Sequence, residues 1–158
     1  MADDTFTVER SAHVDAPPAR VYGQVADFHS WRSWSPWEDL DPDMQRSHSG
    51  AASGTGAVYA WSGNRKAGQG RMEITEATEP SRVEIDLVFE KPWKAHNTSV
   101  FAIVPDGTGS RVTWTLTGPK TFMTKVMGLF KSMDAMVGPD FERGLARLKS
   151  TAETSTAS

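Results

Sequence analysis

The chain predicts an α+β fold, in which a curved antiparallel sheet of about seven strands wraps around a long C-terminal helix, with two short helices after the first strand. Three observations carry this expectation. Period-two alternation of apolar residues recurs in the middle of the chain, as in Val83, Ile85, Leu87 and Phe89. Gly- and Asn/Asp/Pro-rich clusters such as GNRKAGQG and PDGTGS separate the alternating runs. Apolar residues at helical spacing close the chain, from Phe122 to Leu148.

The elements follow in order. Phe6, Val8, Ala12 and Val14 alternate as a first strand, and Arg10 falls on their face, where a buried cation needs a partner. Asp15-Ala16-Pro17-Pro18 ends it, and proline is tolerated at the helix start that follows. Val21, Val25 and Phe28 give one short helix, and Phe28, Trp31 and Trp34 a second, which Pro36 stops. Strands are expected at about 45–50, 56–62, 69–78, 82–91, 95–105 and 110–118. Glu84, Asp86, Thr113 and Thr115 occupy the face opposite the apolar one, so one side of the sheet is wet and the other covered. The cover is the helical stretch from Thr121, in which Gly138-Pro139 is expected to make a break or kink. The chain reads as a single domain over 1–158, with an ordered core over 5–150 and a frayed tail over 152–158.

Composition excludes several functions. No cysteine occurs, which removes disulfides, thiolate metal sites and thiol nucleophiles, and fits a reducing cytoplasm. The N-terminal MADDTFTVER lacks the basic-then-apolar order of a signal peptide, and no apolar run is long enough to span a bilayer. A formal charge of −3 argues against nucleic acid as a partner. His13, His29, His48 and His96 are not at metal-ligand spacing, so no metal and no cofactor are expected. Asp39, Asp41 and Asp43 resemble the start of a calcium loop, but Met44 and Gly50 stand where its Gly and Glu belong, which leaves a solvated turn. Gly54-Thr55-Gly56 and Gly68-Gln69-Gly70 each enter a strand, the wrong context for a phosphate cradle.

Six tryptophans remain to be explained, three of them within FHSWRSWSPW. Such a wall of apolar surface either closes a core or lines a cavity. Four methionines, Met123, Met127, Met133 and Met136, suit irregular packing or a pliable cavity wall.

Taken in order, DAPPARVYGQVAD, WRSWSPW, GTGAVYAWSG, GQGRMEITE, FEKPW, SRVTWTLTG and DFERGLARLK make the chain resemble the START-like (SRPBCC) superfamily, and within it the small bacterial polyketide cyclase/dehydrase-type proteins. The resemblance runs from about Phe6 to Lys149. It implies the helix-grip fold shared with pollen-allergen-type and lipid-transfer START domains, which enclose an apolar cavity. On that basis the expected partner is a hydrophobic or amphipathic small molecule, such as a lipid or polyketide. The expected wall is Trp34, Tyr59, Trp61, Met72, Ile74, Ile85, Leu87, Phe89, Phe101, Ile103 and Trp114 from the sheet side, with Met133, Met136, Val137 and Phe141 from the helix. Two other readings stay open. One is a cyclase or dehydratase acting on such a molecule, with Tyr59, Arg10 or a bound water giving acid–base help. The other is a co-chaperone-like interaction module. No catalytic residue is assigned, and the oligomeric state is open.

Overall fold

The computed structural model describes residues 5–36, 41–64, 68–91, 94–119 and 133–154. Strand β1 (Thr5–Val14) is followed by helix α1 (Pro18–Val25) and a 3-10 turn (Phe28–Ser33). Six strands come next: β2 (Gln45–Gly50), β3 (Ala57–Ser62), β4 (Gln69–Thr78), β5 (Arg82–Lys91), β6 (Ala95–Asp106) and β7 (Gly109–Pro119). Helix α2 (Met133–Thr154) closes the described chain. All pairings are antiparallel and the spatial order is β1-β7-β6-β5-β4-β3-β2, so consecutive strands are neighbours except that β1 joins the end of the meander beside β7. This is the curved sheet with a C-terminal helix of the helix-grip fold.

The alternation read from sequence becomes a two-faced sheet. Val83, Ile85 and Leu87 of β5 are buried, as are Ser99, Phe101 and Ile103 of β6 and Val112, Trp114 and Leu116 of β7. Val8, Leu116, Ser99, Ile85 and Ile74 make one continuous line across five strands, and every member is almost wholly removed from solvent. That line is the spine of the concave face.

Helix α2 packs mainly on β1, α1 and the 3-10 turn. Its inward stripe is Phe141, Leu145, Leu148 and Ala152, all buried, at the three- and four-residue spacing of one helix face. Gly138-Pro139 does not break it, contrary to the sequence expectation: the helix runs through Pro139. A proline inside a helix removes one backbone bond and costs about 3 kcal/mol, and the burial of the stripe that follows offsets this. Gly138 serves a packing purpose, because the Arg10 guanidinium lies where its side chain would be.

Other expectations also change. Residues 152–154 are helical, not frayed, because Ala152 is fully buried and the Glu153 carboxylate accepts a hydrogen bond from the Asp15 backbone N–H at 2.8 Å. Asp41 is not solvated: it is 9% exposed, and its two carboxylate oxygens accept from the backbone N–H of Asp43 and Asn64 at 2.9 and 2.8 Å. The helical reading of 121–132, with Phe122, Met123, Val126, Met127, Leu129 and Phe130, lies outside the described residues, as do Trp37, Asp39 and Trp93.

Candidate functional site

The concave face falls into two parts on either side of its spine. In the first, aromatic rings from four elements meet. Trp114 of β7 stacks on Phe141 of α2 with centroids 3.9 Å apart and planes 4° from parallel. It also meets Phe101 at 4.7 Å and Trp34 at 5.6 Å. Trp31 touches Trp34, Phe101 and Trp114 at 4.6, 5.7 and 6.2 Å. Each indole N–H here has a partner inside the protein. Trp31 donates to the Val25 carbonyl at 2.8 Å, Trp34 to the Gln24 carbonyl at 3.0 Å, and Trp114 to Ser99 Oγ at 2.8 Å. Rings in face and edge contact with their polar edges satisfied make a close-packed interior. The tight fit extends to Gly144, where an added methyl would sit 2.9 Å from the Pro36 ring and 3.0 Å from Trp114.

The second part lies on the other side of the spine, toward the ends where β3 and β6 meet their turns. One line across the strands runs Phe6, Gly118, Asn97, Leu87, Met72, Tyr59 and His48, the Asn97 amide lying against Gly118. The next runs Ala95, Phe89, Gly70, Trp61 and Arg46. Tyr59, Met72 and Leu87 are buried, while Trp61 and Phe89 are half-buried. Trp61 lies across the strand onto Gly70, whose Cβ would meet the indole at 2.8 Å, and it meets Phe89 edge-on at 5.8 Å. Glycine at 70 is therefore what lets the indole lie along the sheet. Phe28 of the 3-10 turn covers Tyr59 at 5.9 Å, and His48 stacks on His29 at 4.0 Å at the sheet margin.

Asn97 is a polar residue in the apolar stretch of this line between Phe6 and Met72. It is 2% exposed, on the same face as Ser99 and Phe101, and its Oδ1 has no hydrogen-bond partner among the described residues. The amide lies over Gly118, where a side chain would collide with it. A buried acceptor left without a donor costs about 1–3 kcal/mol, and such groups are rare enough to require a reason.

The residues expected from sequence thus separate. Trp34, Phe101, Ile103, Trp114 and Phe141 belong to the packed part, and Ile74 and Ile85 to the spine. Tyr59, Trp61, Met72, Leu87 and Phe89 come together in the second part. Val137 is half-buried against the core, and the side chains of Met133 and Met136 lie outside the described residues. Arg10 turns toward α2: its Nε donates to Glu142 at 2.8 Å and its Nη1 to the Glu9 carbonyl at 2.8 Å. Asn97 was legible as a member of the buried face from the alternation of ALA-HIS-ASN-THR-SER in β6, but its lack of a partner is visible only in three dimensions.

A separate polar cluster sits away from this face. Both ring nitrogens of His13 meet carboxylates, Nδ1 with Asp106 at 2.9 Å and Nε2 with Asp15 at 2.8 Å. The bond to Asp106, and then that to Asp15, raise the His13 pKa above 6.5, and His13 in turn lowers that of Asp106. Asp15 is also tied to Glu153, which its backbone N–H and then Lys149 hold below the usual carboxylate range. The cluster fastens the end of α2 to the β1–α1 connection.

Residues 5–153 match the family described as polyketide cyclase / dehydrase and lipid transport, and the chain belongs to that family. Among solved structures it is similar to a protein from Chromobacterium violaceum, with a TM-score of 0.67 and 13% identity over 94% of this chain and 99% of that one. It is similar to the Aha1 dimer from Colwellia psychrerythraea, with a TM-score of 0.64 and 15% identity over 96% of this chain and 99% of that one. It is also similar to Ara h 8.0201, with a TM-score of 0.65 and 13% identity over 96% and 99%. At these identities the likeness is one of fold. A comparison with curated proteins found no match. Among the described residues no helix is long and apolar enough to cross a membrane.

Proposed function

We propose that the protein binds a hydrophobic or amphipathic small molecule against the second part of the concave face, with Tyr59, Trp61, Met72, Leu87 and Phe89 as its apolar wall and the first turn of α2, at Met133, Met136 and Val137, beside it. The observation that carries this reading is the division of the face. The described turns of α2 pack mainly on β1, and the Phe141 ring fills the space over Trp114. The apolar surface of β3 to β5 differs in burial, with half-buried Trp61 and Phe89 at its margin. Membership in a family described by cyclase, dehydrase and lipid-transport activities supports a small apolar ligand. Ligand sites of this kind combine apolar lining with few polar groups.

The cyclase or dehydratase reading has less support. Of the two side chains it rests on, Arg10 is engaged with Glu142, and Tyr59 lies in the apolar wall.

Native mass spectrometry of freshly purified protein, with a thermal-shift panel of polyketides, fatty acids, sterols and flavonoids, tests the proposal. A ligand at a hundredfold excess over its Kd adds about 2.7 kcal/mol to folded-state stability, a rise of several degrees in melting temperature. No co-purified molecule and no shift with any panel member would contradict it.

A further inference from the structure

We propose that Asn97 is the polar anchor of this site, and that the ligand is an apolar body carrying a hydroxyl or N–H group that donates to Asn97 Oδ1. The inference rests on the ligand-binding reading above and adds the chemistry of the ligand's polar end. Three observations lead to it. The residue is 2% exposed, yet its Oδ1 has no partner among the described residues. It stands in the apolar stretch of its line, between Leu87 on β5 and Gly118 on β7, with Phe6 beyond. Lastly, Gly118 leaves the space that the amide occupies, and its Cβ would lie 3.0 Å from Phe6, so the two positions fit each other as a pair.

The contrast with Ser99, two residues along the same strand and on the same face, sharpens the point. Its hydroxyl is satisfied by the Trp114 indole N–H at 2.8 Å. Ser110 donates to the Ala16 carbonyl at 2.6 Å, and Asp41 accepts two backbone N–H groups. These buried polar side chains are built into the protein's own hydrogen bonding. The Asn97 acceptor is left for something else, and it faces the same side as the apolar wall. A hydrocarbon would leave the acceptor unsatisfied, whereas a ligand donor would satisfy it in a low-dielectric setting, where the bond discriminates well. A site built to bond a ligand hydroxyl rejects the analogue that lacks it.

The test uses three probes of one shape: 2-naphthol, which donates; 2-methoxynaphthalene, which only accepts; and 2-ethylnaphthalene, which does neither. Affinities are measured by isothermal titration on the wild type and on Asn97→Leu. The wild type is expected to prefer 2-naphthol over both others by about tenfold, one hydrogen bond's worth of discrimination. Asn97→Leu is expected to erase the preference while holding 2-ethylnaphthalene at least as well, and to melt no lower than the wild type without ligand. Equal affinity of the wild type for all three probes would overturn the Asn97 assignment and leave the ligand-binding reading standing. So would a preference that survives in Asn97→Leu. Preference for both oxygen-bearing probes alike would show the amide donating instead and overturn the donor assignment. No binding of any probe would remove the ligand-binding reading together with it. The wild-type arm decides the matter even if the variant does not fold.

Discussion

The two parts of the concave face are built from the same residue types and do different things with them. Around Trp114 the rings lie on one another, with Phe141 at 3.9 Å and Phe101 at 4.7 Å, and every described indole N–H there ends on a protein acceptor. Around Leu87 the aromatics sit at the margin, two of them half-buried, and the buried amide of Asn97 has an idle acceptor. Aromatic content alone therefore does not mark a binding wall. On the proposed reading, what separates core from site is how deeply the rings are buried and whether the buried polar atoms are bonded within the protein.

The largest effect that would break this comparison belongs to the packed part. Trp114→Ala is expected to cost about 3–5 kcal/mol, since it removes a fully buried ring and strands the Ser99 hydroxyl. Chemical denaturation reads this directly. A midpoint close to the wild type would mean that the stack is not what holds α2 on the sheet. Truncation after Ser150 comes next. It removes buried Ala152 and the Glu153 bond to Asp15, and is expected to cost about 1–3 kcal/mol. A truncated protein that melts with the full chain would restore the expectation of a frayed tail.

Much of the fold was legible in the sequence because a half-buried antiparallel sheet writes itself as alternation. Val83, Ile85 and Leu87 were placed on one face from spacing alone, and the turn clusters located the strands to within a residue or so of β2 to β7. The end of α2 was not legible. Ala152 carries too little side chain to look like an anchor, yet it is buried where the helix meets the rest of the protein. Gly138-Pro139 read as a break because local propensity disfavours both residues in a helix, and tertiary packing overrode it. The partition of the aromatics was hidden for a different reason. Trp61 and Trp114 look alike in a strand pattern, and only the register shows that one lies over Gly70 and the other under Phe141.

Trp61→Ala sharpens the comparison from the other side. The half-buried indole contributes less burial than Trp114, so the expected stability loss is about 1–2 kcal/mol, with a larger proportional loss of ligand affinity. A variant as destabilised as Trp114→Ala would assign Trp61 to the core. The smallest effect belongs to the polar cluster that ties down α2. The folded-state pKa of His13 lies above 6.5, mainly through Asp106 and then Asp15. The protonated ring is thus favoured in the folded state. Its stabilisation is complete below pH 6.5 and is lost as pH rises through the raised folded value. The melting temperature of the wild type is therefore expected to fall slightly over that interval relative to His13→Gln. Parallel profiles for the two proteins would remove the cluster from the account.

The most direct test of the division is the set of indole N–H resonances in a two-dimensional 1H–15N spectrum, assigned by substitution and followed as 2-naphthol is added. The Trp61 resonance is expected to move with saturation, because that indole borders the proposed site. Those of Trp31, Trp34 and Trp114 are expected to hold their positions, each locked to its own acceptor. Movement of Trp114 and Trp34 with Trp61 unchanged would place the ligand in the part described as solid core and contradict the account.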